Sequence, residues 1–251
     1  DPESNQIFLK VSKDQLKKEF IYFAHVINGV ASTGKVKGSY TDEGIFKIEK
    51  DFNKLRFSRV LTNYYFDDDN PLSKSKGANI SDSTFQVIDI LAENEEENEY
   101  LIEITGLLLS ETLTPILPIY SPEGPPPGFM WGQLSPVKSR VTGIFNYEEN
   151  TDFEVEYVIE SAPSYEYESE DVADPRNVNI NLRYSFIEMP KNDFEPRLAN
   201  QSIGYFSERV TDLTSKDVTP YKDLIGKWNL KKKNPEEELS EPIKPITFWI
   251  E

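Results

Sequence analysis

The run Gly29-Val-Ala-Ser-Thr-Gly34-Lys35 has the glycine and lysine spacing of a loop that cradles nucleotide phosphates, and it follows a predicted strand. Phosphate chemistry of that kind needs a Ser or Thr hydroxyl next, for magnesium, and then a helix whose first amides face the anion. Val36 stands at the hydroxyl position, and Val36 to Gly44 carries no helical pattern. The run is therefore expected to be a hairpin loop. His25, the one histidine in the chain, lies inside an apolar strand pattern, which removes His-rich zinc centres and leaves no partner for a nucleophile relay. Asp67, Asp68, Asp69 and Asn70 offer the hard oxygens that calcium prefers, but Pro71 and Leu72 break the register of a calcium loop, so an acidic turn is expected. No catalytic residue, no metal ligand and no cofactor site is expected in this chain.

Composition bounds the partners. The chain has 251 residues, 44 acidic against 27 basic, and a net charge of -17. That field repels phosphate backbones and anionic lipid headgroups, so neither nucleic acid nor a membrane surface is an expected partner. The longest apolar run, Leu101 to Leu109, is interrupted by Glu103, Thr105 and Gly106 and is far short of the roughly 18 residues of a spanning helix. With no cysteine there is neither a disulfide nor a thiolate site. The start at Asp1-Pro2-Glu3 has no leader-like pattern, which fits a removed leader or a start within a longer chain.

The elements that would position any site are strands. Val178, Ile180, Leu182, Tyr184 and Phe186 alternate with polar residues at the period of a half-buried strand. Shorter patterns of the same kind cover 6–11, 44–49, 55–66, 84–91, 100–105, 141–147, 153–160 and 246–250. Ser12 and Gln15 form a capping-box pattern, and the aromatic and β-branched residues of 20–27 predict one helical turn followed by a strand. The expected class is mainly β, a β-rich α+β fold of antiparallel sheets or a sandwich with few short helices. The Pro- and Gly-rich stretch 114–137 is expected to join halves 1–113 and 138–240 of one β-rich domain, because proline removes amide donors from a ladder.

The C-terminal half contains Leu182-Arg-Tyr-Ser-Phe-Ile-Glu-Met-Pro190, Phe194-Glu-Pro-Arg197 and Ile203-Gly-Tyr-Phe206 in close order. Gly226-Lys-Trp-Asn-Leu-Lys231 and Leu239-Ser-Glu-Pro-Ile-Lys-Pro-Ile-Thr-Phe-Trp-Ile250 follow. Together these resemble the uncharacterised domain that precedes the catalytic domain of exported bacterial zinc-dependent metalloproteases of the zincin type. The likeness is dense from Asn179 to Glu251, loose over 6–49 and absent over 113–137; Asn200-Gln-Ser-Ile203 departs from the family's Asp-Pro-Arg-Val pattern. The resemblance implies a non-catalytic accessory or pro-like domain, exported by a Gram-negative bacterium to the periplasm, outer-membrane surface or medium. Its implied partners are its own downstream catalytic domain and a peptide substrate. The zinc and its H-E-x-x-H helix would belong to that domain, and residues 241–251 would supply its first strand. Arg197, Gly204, Tyr205, Phe206, Trp228 and Trp249 are the expected interdomain contacts, since an arginine beside a proline and clustered aromatics make interface anchors. The alternative is an independent β-sandwich module binding glycan or peptide through Trp131, Tyr64 and Tyr65.

Overall fold

The computed structural model describes residues 5–117, 132–161, 170–191, 193–200, 202–218 and 220–248. The fold is β-rich, as the alternation predicted, and the chain divides into two compact units. Unit 1 comprises Asp1–Leu61 and Ser81–Pro190; unit 2 comprises Thr62–Ile80 and Lys191–Glu251.

Unit 1 is one curled antiparallel sheet, a half-barrel. Its strands are β1 (Phe8–Ser12), β2 (Glu19–Asn28), β3 (Tyr40–Asp51), β4 (Lys54–Arg59), β6 (Ser83–Asn94), β7 (Glu99–Glu103), β8 (Gln133–Leu134), β9 (Arg140–Asn146), β10 (Asn150–Glu160) and β11 (Asn177–Glu188). They pair in the order β1-β7-β6-β4-β3-β2-β11-β10-β8, and β9 also pairs with β10. Consecutive strands from β2 to β4 form hairpins, whereas β2 and β11 pair across most of the chain, with Tyr184 opposite Ala24 and Arg183 opposite His25. That pairing puts strands from both expected halves into one sheet. The unit boundaries fall instead at Leu61, Ser81 and Pro190, because antiparallel register depends on matching faces and not on nearness in sequence.

Local chemistry explains the entry to β2. The Ser12 hydroxyl accepts from the Asp14 amide and the Gln15 side chain accepts from the Ser12 amide, which stabilises a single 3-10 turn over Lys13–Gln15. The chain then extends, since Phe20, Tyr22, Ala24 and Val26 alternate inward. The same concave face receives Ile180, Leu182 and Tyr184 from β11 and Phe153, Val155 and Tyr157 from β10. Each such side chain contributes roughly 1.5–3 kcal/mol of burial.

A curled sheet still needs a filling for its concave face. That filling is the segment from Ile104 to Leu117, which begins with the short helix α1 (Thr105–Leu108). Ile104, Leu107, Leu108, Leu113 and Ile116 are all buried in the unit 1 core. An irregular buried segment must satisfy its own main chain, and tyrosine hydroxyls do this here. Tyr157 donates to the Leu108 carbonyl at 2.5 Å, Tyr184 donates to Tyr157 at 2.7 Å, and Tyr22 donates to the Leu113 carbonyl at 2.6 Å. Burial raises the pKa of all three phenols well above the ordinary value, so they remain protonated donors. Arg59, lying over the Tyr22 ring and paired with Asp42, also donates to the Leu113 carbonyl. The Glu111 carboxylate accepts from the Ile116 and Leu117 amides, each at 2.8 Å.

Unit 2 holds β5 (Tyr64–Tyr65), β12 (Ser207–Asp212) and β13 (Tyr221–Ile225), in the order β13-β12-β5. The continuous pattern expected over 55–66 is thus split between β4 in one unit and β5 in the other. Over residues 246–248 the expected strand is absent, and Trp249 and Ile250 lie outside the described residues.

Candidate functional site

The phosphate-loop spacing at Gly29–Lys35 closes on itself. A 3-10 turn spans Ala31–Thr33, the Gly34 amide donates to the Ala31 carbonyl, and the Lys35 amide donates to the Thr33 hydroxyl. These amides are already engaged, and a β-carbon on Gly29 would stand 2.2 Å from the Lys35 carbonyl oxygen. The glycine is explained by that close approach. Lys35 is half-buried, and burial lowers its pKa, partly offset by Glu111.

His25 faces the convex side of the sheet, its ring near Phe23 and Tyr40. Burial first, and Arg183 second, depress its pKa, so the ring is held neutral; its Nδ1 has no hydrogen-bond partner among the described residues. Arg183 itself pairs with Glu154 and lies over Phe145. The acidic turn uses its oxygens locally: Asp67 accepts from the Asp69 amide, Asn70 caps the 3-10 turn Pro71–Ser75, and the Asn70 amide group donates to the Thr214 carbonyl. Among the described residues no three histidine or carboxylate side chains gather as metal ligands.

The residues expected to make an interface come together at one end of the unit 2 sheet. The Ile225 amide at the end of β13 donates to the Arg197 carbonyl at 2.9 Å, and the next amide, Gly226, donates to the Phe206 carbonyl at 3.1 Å. Leu198 also bridges Leu224, so residues 197–199 extend the sheet on the open side of β13. Three separated sequence motifs thus converge: Phe194–Arg197, Ile203–Phe206 and the Gly226-Lys-Trp228 run that continues from β13. Lys227 lies 4.8 Å from the centre of the Phe194 ring, and Lys231 pairs with Asp193.

Main chains converge there, yet the large side chains stay in solvent. Phe206 is 98% exposed, Trp228 64% and Tyr205 58%; Arg197 and Gly204 are exposed as well. A β-carbon on Gly204 would meet nothing within 4 Å, so no close approach among the described residues explains that glycine. Trp249 lies outside the described residues. Phe206, Trp228 and Tyr205 thus lie outside the core formed by the described residues. Leu198, Tyr221, Leu230, Leu239, Ile243 and Phe248, not among the contacts expected from sequence, are exposed on the same unit. Leu230, Leu239, Ile243 and Phe248 lie within the Gly226–Lys231 and Leu239–Ile250 runs, but apolarity alone reads as core and does not mark any of the six as exposed.

Tyr64 and Tyr65, proposed above as part of a binding strip, are both exposed, but neighbours in a strand point to opposite faces. Lys222 also lies over the Tyr65 ring. Trp131 lies outside the described residues.

Unit 2 is held by polar contacts around Asp212, a buried carboxylate. Lys222 donates to one oxygen, while the Thr214 hydroxyl and amide and the Ser215 amide donate to the other at 2.7, 3.0 and 3.1 Å. The Lys222 ammonium, then the Thr214 hydroxyl, hold its pKa down to about 2. A carboxylate with a depressed folded-state pKa stabilises the fold above its unfolded value of about 3.9, and that contribution is lost as pH falls from about 4 toward about 2. Acid titration of the β signal should therefore show a loss of unit 2 structure in that window, and Asp212→Asn should be weaker at neutral pH and flatter across the window. An unchanged acid profile would remove Asp212 from this role.

A search among curated proteins and a search among solved structures each found no match. The family model described as Domain of unknown function (DUF5117) matches residues 38–233, and the chain belongs to that family.

Proposed function

We propose that this chain is a non-catalytic accessory domain of an exported bacterial zinc metalloprotease, and that unit 2 is the face docking on the catalytic domain. The observation that carries the docking reading is the imbalance of unit 2. Among its described residues only Phe66 and Ile225 are buried apolar side chains, while Phe206, Trp228, Tyr205, Leu230, Leu239 and Phe248 are exposed. Large apolar side chains left exposed on so small a core are the feature expected of a surface that a partner covers. Clustered Trp, Tyr, Phe and Arg are the residue types that dominate interface energies. The zincin identity of the partner rests on the motif resemblance from Asn179 to Glu251. In this reading zinc and the peptide-cleaving groups belong to the neighbour, and this chain shapes access to it or supports its folding.

The test is to produce the parent protein with and without this domain and to measure folding yield and peptide hydrolysis. The docking role predicts a change of several-fold or more in yield, rate or substrate preference. Identical values in all three would reject it.

A further inference from the structure

Unit 1 carries a second feature unrelated to unit 2, a cavity of about 140 Å³ at one mouth of the half-barrel. Phe20, Phe46, Phe57 and Phe186 contribute to its floor, and Leu9 and Val11 of β1 form a wall. The floor is apolar and aromatic. Its volume is close to that of the roughly 150 Å³ cavities that accept a benzene ring, but it is open to solvent, and Lys10, Gln15, Asn150 and Thr151 line it beside the phenyl rings. The rim includes Glu148 and Glu149, exposed acids in the β9–β10 turn, and Lys10, whose charge is paired with Glu97 and Glu99.

The wall strand is also a sheet edge, since β1 pairs only with β7. Two main-chain bonds fix which groups face outward: the Ile104 amide donates to the Ile7 carbonyl, and the Lys13 amide donates to the Asn98 carbonyl. In an antiparallel ladder the bonded pairs alternate, so Leu9 and Val11 bond toward β7 and the main chains of Phe8 and Lys10 face away from it. Among the described residues nothing bonds those outward groups. An open edge strand is a template for another chain.

We propose that an extended peptide adds to the free edge of β1 and seats one apolar side chain, of leucine or phenylalanine size, in the phenyl-floored cavity. Alternate residues of an added strand point to the concave side, which is where the cavity opens beside Leu9 and Val11. The glutamates of the rim favour a lysine or arginine next to the seated residue, in keeping with a chain of net charge -17. Main-chain pairing supplies attachment and the cavity supplies selectivity. This site is independent of the docking role assigned to unit 2.

The probe is a blocked, fluorescently labelled seven-residue peptide of threonine and lysine with one central phenylalanine, titrated against the whole chain by anisotropy. Saturable binding is expected, weakened at least tenfold when the peptide's phenylalanine becomes alanine, a comparison that needs no protein variant. Lys10→Pro removes an outward amide and leaves the main-chain bonds to β7, but it also removes the Lys10 ion pairs with Glu97 and Glu99. Lys10→Ala, which keeps the amide, is therefore its control: the proline protein should lose binding while folded and the alanine protein should retain it. Glu148→Lys combined with Glu149→Lys should weaken binding and reduce its salt dependence. Equal affinity for the alanine peptide, undiminished binding by a folded Lys10→Pro protein, or no saturation up to millimolar peptide would each overturn the proposal. Sedimentation showing a dimer that excludes the peptide would also overturn it, by assigning the edge to a second copy of this chain.

Discussion

Leu108→Ala should lower the stability of unit 1 by about 2–5 kcal/mol, the largest effect expected from a single aliphatic truncation in this fold. Leu108 is fully buried in the segment that fills the concave face, and its carbonyl takes the Tyr157 hydroxyl at 2.5 Å. Removing the side chain leaves a void that the sheet cannot close, because the surrounding strands are fixed by their ladders and the segment is pinned at Leu108 and Leu113. Urea unfolding followed by far-ultraviolet circular dichroism checks this: the midpoint should fall while the slope stays constant. Leu72→Ala, at an exposed position of unit 2, is the control and should shift stability by less than about 0.5 kcal/mol. Equal effects at the two positions would mean that the 104–117 segment does not fill the core.

The second large effect is on binding. Phe206→Ala and Trp228→Ala should each weaken association with the proposed zinc-protease partner by about 2 kcal/mol or more, roughly thirtyfold, as truncating an aromatic interface anchor does. Neither change should alter folding by more than about 0.5 kcal/mol, since both side chains stand in solvent in this chain. The same substitutions therefore separate an interface from a core. Loss of folding without loss of affinity would mean that the aromatics serve the domain itself.

How much of this was readable in the sequence depends on the range of each interaction. The strand over 178–186 is legible because its alternation is a local property, and β11 buries Val178, Ile180, Leu182 and Tyr184 as that alternation requires. The Ser12–Gln15 capping box is legible for the same reason. Pairing partners are not local. Nothing in residues 20–27 announces that β2 will lie against β11, so the two expected halves merge into one sheet. The filling segment is hidden differently: Leu107, Leu108 and Leu113 read as an interrupted apolar run, and only the curl of the sheet gives them a place. β12 and β13 escape notice because Ser207–Asp212 and Tyr221–Ile225 carry exposed charged residues on a small sheet with little core. At the candidate site the residue types of Arg197, Tyr205, Phe206 and Trp228 are visible in sequence. Their convergence around the end of β13 comes from two main-chain bonds, at Ile225 and Gly226, that no spacing rule reports.

Titration of this chain into the zinc-protease domain proposed as its partner, followed by calorimetry, tests the docking role most directly. Saturable one-to-one association is expected, with a dissociation constant in the micromolar range or below, at least thirtyfold weaker for Trp228→Ala. Absence of binding heat and of any co-sedimentation at concentrations near a millimolar, with both proteins folded, would contradict it.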